Sequence, residues 1–182
     1  MTHKLIILDR DGVINFDSDD YIKSPDEWNP IPGSLEAIAQ LYQAGYRIVV
    51  ATNQSGVSRG LFSAATLNAI HTKMHQALAQ HGGYIDAVFF CPHADKDMCD
   101  CRKPQPGLLQ QIGKRFDIPL KNVPVIGDSL RDLQAAESVG CAPHLVLTGK
   151  GQKTSKHPKL PKKTLIHQDL SAFAQMVLTN KI

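Results

Sequence analysis

Residues 4–12, with the sequence KLIILDRDG, place a short apolar run directly before two closely spaced acids. The run over residues 4–8 predicts a buried strand that ends at Asp9, and Gly12 permits a sharp turn away from it. Asp9 and Asp11 are two residues apart, so their side chains project to the same side just beyond the strand. This stretch therefore predicts a pair of carboxylates at one edge of a sheet.

The rest of the chain alternates apolar strands with amphipathic helices. Strands are predicted at residues 46–52, 84–90, 123–126 and 143–147, with a short one near residue 165. Helices are predicted from residues 33–34 to Gly45, from Ser63 to Gly82, from about Gly107, over 130–138 and from about Ser171. Strands separated by helices favour a doubly wound, Rossmann-like parallel sheet in an α/β fold. We expect residues 12–32 to form a flap and expect no large cap domain.

Three polar residues end three of the predicted strands: Asp9, Thr52 and Asp128. Ligands bind beyond the carboxyl ends of such strands, near the point where strand order reverses. A carboxylate is already ionised at neutral pH, so it can attack phosphorus without a general base. Its repulsion of the phosphate dianion is reduced by a magnesium ion held by oxygen ligands. The pattern therefore indicates phosphoryl transfer, with Asp9 as nucleophile.

Size and composition are those of an ordinary globular protein. The chain has 182 residues, of which 42% are hydrophobic and 20% charged, and we expect residues 1–182 to form a single domain. The apolar run near the N-terminus is too short for a signal peptide or a membrane span. We therefore expect a cytoplasmic protein that does not contact a membrane. Separately, we expect a monomer.

The positive charge is concentrated in residues 149–164, which contain six lysines and no acid, whereas the remaining chain has 14 basic and 17 acidic residues. Such a segment is typical of a solvated, mobile loop. Attraction of an anionic substrate is a second interpretation. Nucleic-acid binding is disfavoured because no aromatic residues are interleaved with the lysines, and we expect no nucleic-acid partner.

Four short motifs in chain order resemble those of the haloacid dehalogenase-like phosphatases. They are Asp9-Arg10-Asp11-Gly12-Val13, Thr52-Asn53, Lys103 and Gly127-Asp128. The resemblance covers nearly the whole chain. It implies the fold inferred above and a magnesium-dependent phosphatase that removes phosphate from a small metabolite.

The same resemblance implies a role for each matched residue. Asp9 would form an aspartyl-phosphate, and Asp11 would protonate the leaving oxygen and then activate water, with its pKa raised by nearby negative charge. Thr52 and Lys103 would bind oxygens of the transferring group. The magnesium ligands would be Asp9, the backbone carbonyl of Asp11, and Asp128. Residue 129 is serine where some relatives have lysine.

A cluster of thiols and one imidazole lies between residues 91 and 101: Cys91, His93, Cys99 and Cys101. In a cytosolic chain such clustering favours metal binding over disulfides, and a Cys3His set suits structural Zn²⁺. Isolated buried thiols and a redox pair are the alternatives. Zinc would order the loop that presents Arg102 and Lys103. Cys141 stands alone and is expected to be a small buried residue.

The cysteine loop, together with Thr52-Asn53-Gln54-Ser55-Gly56 and Arg59-Gly60, is similar to the heptose 1,7-bisphosphate phosphatases and the related histidinol-phosphate phosphatases. This similarity implies removal of the 7-phosphate of D-glycero-D-manno-heptose 1,7-bisphosphate, with histidinol phosphate as the alternative substrate. The implied substrate contacts are Asp17, Tyr21, Asn53, Gln54, Ser55 and Arg102.

Three further interpretations stay open. A zinc-dependent nucleic-acid or protein-binding module would use the cysteine loop and the lysines, but this interpretation does not explain the presence of Asp9, Asp11 and Asp128. His71 and His75, spaced i, i+4 on a helix, suit a metal pair or, more simply, a surface or partly buried helix face. Trp28 is expected to pack the flap down.

Overall fold

A computed structural model of the protein describes residues 4–180, with six strands alternating with helices. The strands are β1 (Leu5–Leu8), β2 (Arg47–Asn53), β3 (Ala87–Cys91), β4 (Pro124–Gly127), β5 (Ala142–Val146) and β6 (Leu165–His167). The helices are α1 (Ser34–Gln43), α2 (Ala64–Gln80), α3 (Gly107–Phe116), α4 (Leu130–Ser138), α5 (Gly151–Thr154) and α6 (Leu170–Asn180). Residues 1–3 and 181–182 of the expected domain lie outside the described residues.

The strands form one parallel sheet in the order β3-β2-β1-β4-β5-β6. The chain first moves outward from β1 to β2 and β3, and then returns to place β4 on the other side of β1. Strand order therefore reverses between β1 and β4, which is where such sheets form a ligand crevice. Asp9 and Asp128 directly follow these two strands.

Two apolar layers cover the two faces of the sheet. Successive residues of β1 point to opposite faces, so Ile6 and Leu8 join one layer and Leu5 and Ile7 the other. The first layer contains side chains of α1, α2 and α6, and the second contains those of α3 and α4. This arrangement confirms the predicted doubly wound α/β fold.

The helix and strand predictions agree with the structure to within a few residues, with three exceptions. Strand β3 begins at Ala87 rather than at residue 84, and Tyr42, expected on the apolar face of α1, is 40% exposed. The lysine-rich segment is predicted to be a solvated, mobile loop, yet it contains α5, whose Gly151 and Thr154 are buried. Local contacts therefore anchor the start of that segment to the body of the protein.

The flap over residues 12–32 is irregular apart from a single 3-10 turn at Pro25–Glu27. Trp28 is 1% exposed and belongs to the apolar layer under α1 and α2, as predicted for a residue that packs the flap down. Lys73 of α2 donates hydrogen bonds to the carbonyls of Pro25 and Trp28 at 2.6 and 3.0 Å. None of the helices within residues 4–180 combines the length and apolar character needed to cross a bilayer.

Candidate active site

A buried lysine lies at the centre of the polar cluster above β1 and β4. The Nζ atom of Lys103 is 3.0 Å from Asp9 Oδ1 and 2.6 Å from Asp132 Oδ1, and it donates to the Ala51 carbonyl at 2.6 Å. Asn53 holds the lysine backbone from both sides, because its side chain donates to the Lys103 carbonyl and accepts from the Lys103 N–H. The loop after β3 is thereby fixed against the end of β2.

Asp128 is 2% exposed and lies between two glycines. A Cβ atom on either Gly12 or Gly149 would overlap its Oδ2 atom, and both glycines have a positive φ that favours glycine. The N–H of Lys150 donates to the same oxygen at 2.7 Å. Close backbone approach from two loops therefore sets the orientation of this carboxylate.

Three carboxylates converge at this point: Asp9, Asp128 and Asp132, with ligand oxygens within 4.8 Å of one another. Burial, followed by the charge of Asp132, raises the pKa of Asp9 to about 7 and that of Asp128 to about 8. The ammonium of Lys103 compensates only part of this negative charge. An oxygen-rich, under-compensated anionic cluster fits a divalent cation such as magnesium.

Asp132 was not among the residues predicted from the sequence. It accepts hydrogen bonds from the N–H and hydroxyl of Ser129, at 3.1 and 2.7 Å, and so closes the first turn of α4. Burial alone would raise its pKa, but the Lys103 charge and the hydrogen bonds lower it overall. The Ser-x-x-Asp capping pattern after Gly127-Asp128 is the signal that predicts this position.

Asp11 lies in a different electrostatic environment from the one predicted. Although burial favours its neutral form, the Arg10 guanidinium and hydrogen bonds from Asn15 and Gln54 lower its pKa overall. Arg10 contacts both Asp11 oxygens, at 2.8 and 3.1 Å from Nη2. The expectation that surrounding negative charge raises the pKa of Asp11 is therefore wrong.

Gln54 joins the second predicted motif to the first. Its Nε2 atom donates to Asp11 Oδ2 at 2.8 Å and to Thr52 Oγ1 at 2.9 Å. Thr52 and Ser55 are also buried, at 1% and 5% exposure. The carboxyl end of β2 thus presents a set of fixed polar side chains beside the acids.

These residues line one cavity of about 310 Å³, within the size range of small-molecule sites. The predicted residues that line it are Asp9, Asp11, Asp17, Tyr21, Thr52, Asn53, Gln54, Ser55, Arg102, Lys103 and Asp128. The structure therefore brings together every predicted catalytic and substrate-contacting residue, and Asp17 lies within ion-pairing distance, 2.9 Å, of the Lys150 ammonium.

Further cations at the cavity rim were not predicted as site residues: Arg59, Arg131 and Lys150. Arg102 donates from Nε to Asp95 Oδ1 at 2.6 Å, and the pKa of Asp95 is lowered chiefly by this hydrogen bond and further by Arg131 and Arg59. Lys150 is the first lysine of the lysine-rich segment. Of the two interpretations of that segment, a mobile loop and an attractor of anionic substrates, only the second predicts a lysine near the site.

A second cluster contains the four predicted zinc ligands, on the loop after β3. The closest pairs are Cys101 Sγ with Cys91 Sγ at 3.1 Å and with His93 Nδ1 at 3.3 Å; the other recorded contacts are 3.6 Å. Tetrahedral zinc, with bonds of about 2.3 Å to sulfur and about 2.0 Å to nitrogen, implies donor separations of about 3.5–3.8 Å. The donor set therefore fits Zn²⁺ in its chemistry, and the three separations of 3.6 Å match the tetrahedral spacing, whereas the two shorter ones would have to lengthen by a few tenths of an ångström.

Hydrogen bonds lower the pKa of the Cys99 thiol to about 7 despite the opposing effect of burial, and the largest of them comes from the Arg102 backbone. A thiol with a lowered pKa is a better metal ligand because the thiolate binds the ion. Burial raises the pKa of the Cys91 and Cys101 thiols, so of the three only Cys99 is favoured as a thiolate before a metal binds. Within residues 4–180, potential ligands converge in threes or fours only here and at the three carboxylates. His71 and His75 belong to neither cluster.

Two family models match the sequence. One is described as HAD-hydrolase-like, where HAD stands for haloacid dehalogenase, and matches residues 100–173; the other is described as polynucleotide kinase 3 phosphatase and matches residues 4–135. Both matched ranges include acids of the cluster above β1 and β4.

Curated relatives match nearly end to end. A D-glycero-beta-D-manno-heptose-1,7-bisphosphate 7-phosphatase of Bordetella bronchiseptica is 61% identical over 96% of this chain and 98% of its own length. An enzyme of the same description from Pseudomonas aeruginosa is 53% identical over 98% and 99%.

Solved structures agree with these sequence matches. The D,D-heptose 1,7-bisphosphate phosphatase of B. bronchiseptica, crystallised with magnesium and phosphate, has a TM-score of 0.96 at 60% identity, covering 97% of this chain and 99% of its own. The corresponding enzyme of Burkholderia thailandensis has a TM-score of 0.78 at 54% identity, with the same coverage.

Proposed function

This chain belongs to the haloacid dehalogenase-like phosphatases, and from that premise we propose that it removes the 7-phosphate of D-glycero-D-manno-heptose 1,7-bisphosphate. One observation carries the proposal: the Asp9 carboxylate, only 13% exposed, lies beside Lys103 and two further acids at the point where strand order reverses. The names of relatives that are 51–61% identical support the substrate.

Asp9 is the nucleophile in this proposal. An Asp9 carboxylate oxygen bonds to phosphorus in line with the breaking bond between phosphorus and the C7 oxygen, and the leaving oxygen takes a proton from Asp11. Because Arg10, Asn15 and Gln54 outweigh the effect of burial and lower the pKa of Asp11 in the free protein, this step requires the negative charge of the bound phosphate to shift Asp11 to its neutral form. Water then loses a proton to Asp11 and attacks the same phosphorus, which releases inorganic phosphate and restores Asp9. The site returns to its starting protonation state after each turnover.

Lys103 and Thr52 stabilise the transferring group. The Lys103 ammonium is 3.0 Å from Asp9 Oδ1, so it is close to the place where negative charge accumulates on the phosphoryl oxygens. Although burial opposes its charge, Asp132 and Asp9 raise the pKa of Lys103, so that it stays cationic. Fixed donors of this kind need no reorganisation during the reaction.

Asp9, Asp128 and the backbone carbonyl of Asp11 are the proposed magnesium ligands, and Asp132 serves mainly as the ionic partner of Lys103. The carboxylates fit this role because their charge is only partly compensated by the protein. When bound, Mg²⁺ reduces the repulsion between Asp9 and the phosphate dianion.

A second phosphate on the substrate is accommodated by the cations at the rim. Arg102, Arg59 and Arg131 lie around Asp95, and Lys150 pairs with Asp17 of the flap. A sugar that carries two phosphates gains from such a rim, whereas histidinol phosphate brings one phosphate and a cationic group. The charge distribution therefore supports the bisphosphate over the alternative substrate.

We propose that Cys91, His93, Cys99 and Cys101 hold a structural Zn²⁺. Four protein ligands complete a tetrahedral site, so zinc would have no open position for catalysis. Its effect is on the loop that leads through Arg102 to Lys103. The convergence of the four donor atoms within 4.8 Å, with three of their separations at 3.6 Å, supports this assignment.

We also infer that residues 1–182 form a single domain that acts as a cytoplasmic monomer. Both apolar layers pack on one sheet, which supports a single domain. All four cysteines are free thiols in the described structure, as is typical of proteins in a reducing compartment.

The proposed function is tested with a panel of phosphate esters in magnesium buffer. The panel contains the heptose 1,7-bisphosphate, histidinol phosphate and a 3′-phosphorylated oligonucleotide, with the Asp9→Asn variant as the inactive control. We expect the highest kcat/KM for the heptose bisphosphate, with a product that retains its 1-phosphate. A far higher kcat/KM for histidinol phosphate or for the oligonucleotide would overturn the substrate assignment.

A further inference from the structure

The fully buried Arg10 side chain connects the candidate active site to helix α2. Its Nε and Nη2 atoms donate to Asp11, at 2.8–3.1 Å, and its Nη1 atom lies 3.2 Å from Nε2 of His71. Arg10 is 0% exposed and His71 is 7% exposed. The guanidinium group therefore joins Asp11 on one side to His71 on the other, away from water.

His71 must act as the hydrogen-bond acceptor in this contact. A guanidinium group only donates, so the Nε2 atom of His71 must be unprotonated and the ring neutral. Burial, together with the neighbouring Arg10 charge, lowers the pKa of His71 to about 4, in keeping with a neutral ring. His75, one turn further along α2, is half-buried, and of the two histidines it is His71 that contacts Arg10.

We propose that His71 is a positioning residue for phosphoryl transfer, which acts through Arg10 to fix the orientation of the Asp11 carboxylate. This inference rests on the proposed function, since it concerns the group that transfers the proton. If His71 loses its acceptor atom, an N–H of Arg10 is left buried without a partner, which is unfavourable because the group has lost its contact with water as well. The guanidinium then rotates to regain a partner, and Asp11 moves with it.

Asp9 is held independently of the contacts that run from His71 through Arg10 to Asp11. Its carboxylate accepts from the backbone N–H of Arg10 at 2.8 Å and pairs with Lys103 at 3.0 Å. Neither contact involves the guanidinium group. Loss of His71 should therefore impair proton transfer by Asp11 while the nucleophile stays in place.

The dependence of kcat/KM on the leaving group of the substrate distinguishes a positioning role of His71 from a general loss of structure. The kcat/KM value reports steps up to transfer of phosphate to Asp9, and that step requires an acid only when the leaving oxygen is a strong base. A sugar alkoxide is a strong base, whereas p-nitrophenolate is a weak one. A misplaced Asp11 thus slows the sugar phosphate more than p-nitrophenyl phosphate.

The experiment compares His71→Leu, His71→Gln and the matched control His75→Leu on both substrates in saturating magnesium. We expect His71→Leu to lower kcat/KM for the heptose bisphosphate about tenfold or more, part of the 10²–10⁴ typical of general acid catalysis. The loss for p-nitrophenyl phosphate should be smaller than about threefold. His71→Gln, which retains an acceptor, should recover most of the lost rate, and His75→Leu should match the wild type.

Arg10→Lys provides a second variant if His71→Leu does not fold, as judged from its thermal melt. Lysine keeps the charge but cannot bond both Asp11 and His71, so the same substrate dependence is expected. Equal losses on the two substrates, or no loss, would overturn the inference and leave the proposed function intact. A wild-type protein that hydrolyses neither ester would overturn both.

Discussion

Lys103 and Asp132 form a buried ion pair, with 2.6 Å between Nζ and Oδ1, that links the loop after β3 to the first turn of α4. The two side chains are 3% and 2% exposed. Asp132 and Asp9 are the two acids recorded as ionic partners of Lys103 in the described structure. The position of the lysine beside the nucleophile therefore depends on a residue that itself need not touch the substrate.

Asp132→Ala should reduce both stability and turnover. The substitution leaves the buried Lys103 ammonium with only Asp9 as a counter-ion. Leaving a buried charge with no partner costs about 3–5 kcal/mol, and the remaining Asp9 contact places the expected loss below that range. We expect that loss in the free energy of unfolding measured with urea, together with a lower kcat. Asp20→Ala, at an exposed flap position, is the control and should be neutral. Unchanged stability in Asp132→Ala would contradict the structural role.

Asp128→Asn should weaken the response to magnesium. Folding raises the pKa of Asp128 from 3.8 to about 8. The folded state therefore favours the neutral carboxyl group, and the contribution of Asp128 to the free energy of unfolding falls as the pH rises from about 4 to about 8. A bound cation reverses this penalty, and we expect magnesium to raise the wild-type melting temperature at pH 8 but to have little effect on the variant. The magnesium concentration for half-maximal activity should rise at least about tenfold. Identical magnesium dependence in variant and wild type would exclude Asp128 as a ligand.

The fold and part of the site follow from local sequence, because strands, helices and caps depend on neighbouring residues. Asp9 and Asp128 were predictable since both directly follow apolar strands. Contacts between distant parts of the chain could not be predicted from local sequence. His71 meets Arg10 across 61 positions, and Gln54 reaches Asp11 across 43. For this reason the periodicity of α2 could not distinguish His71 from His75. Although burial opposes the shift, the pKa of Asp11 is lowered chiefly by its chain neighbour Arg10, but only the folded structure shows that the guanidinium group turns towards the Asp11 oxygens.

The stacked pair of His144 and His167 should make stability depend on pH. Their Nδ1 and Nε2 atoms are 2.9 Å apart and Phe173 packs against both rings. Burial, with a smaller contribution from His167, lowers the pKa of His144 to about 4 from 6.5. Because folding favours the neutral His144 ring, the contribution of this residue to the free energy of unfolding is fully present above pH 6.5 and is lost as the pH falls towards 4.

At one pKa unit per about 1.4 kcal/mol, the full loss from His144 is on the order of 3 kcal/mol. We expect His144→Leu to flatten the decline in unfolding free energy between pH 7 and pH 4.5, measured by urea denaturation. His157→Leu, at an exposed position, should leave the slope as in the wild type. Parallel curves for His144→Leu and the wild type would show that this pair does not titrate on unfolding.

Cys99→Ser should lower zinc content and melting temperature together. Serine is a poor zinc ligand, and loss of one of four ligands removes most of the folding free energy that a structural metal contributes. Cys141→Ala is the matched control, because Cys141 is a buried thiol that does not belong to the group of converging ligands, and the substitution should lower the melting temperature without loss of zinc. Native protein without zinc by elemental analysis would refute the metal assignment and leave the role of Asp9 untouched.

Arg131→Gln should reduce activity selectively on the substrate with two phosphates. Ser129 is neutral and caps α4 through Asp132, so the position directly after Asp128 supplies no positive charge. Arg131, two residues further on, lines the cavity and is close enough to lower the pKa of Asp95. Loss of one charge-assisted hydrogen bond of about 1.5 kcal/mol corresponds to about a tenfold lower kcat/KM for the heptose bisphosphate.

A second substrate, p-nitrophenyl phosphate, distinguishes loss of phosphate recognition from nonspecific damage to the site. It has no second phosphate, so Arg131→Gln should hydrolyse it at the wild-type rate. Arg115→Gln on α3, whose guanidinium lies 5.9 Å from the Phe116 ring centre, controls for the loss of a positive charge elsewhere. Because rim charges are screened, raising the salt concentration should reduce the difference between wild type and Arg131→Gln. Equal losses on both esters would show that Arg131 supports the site as a whole and does not recognise the second phosphate.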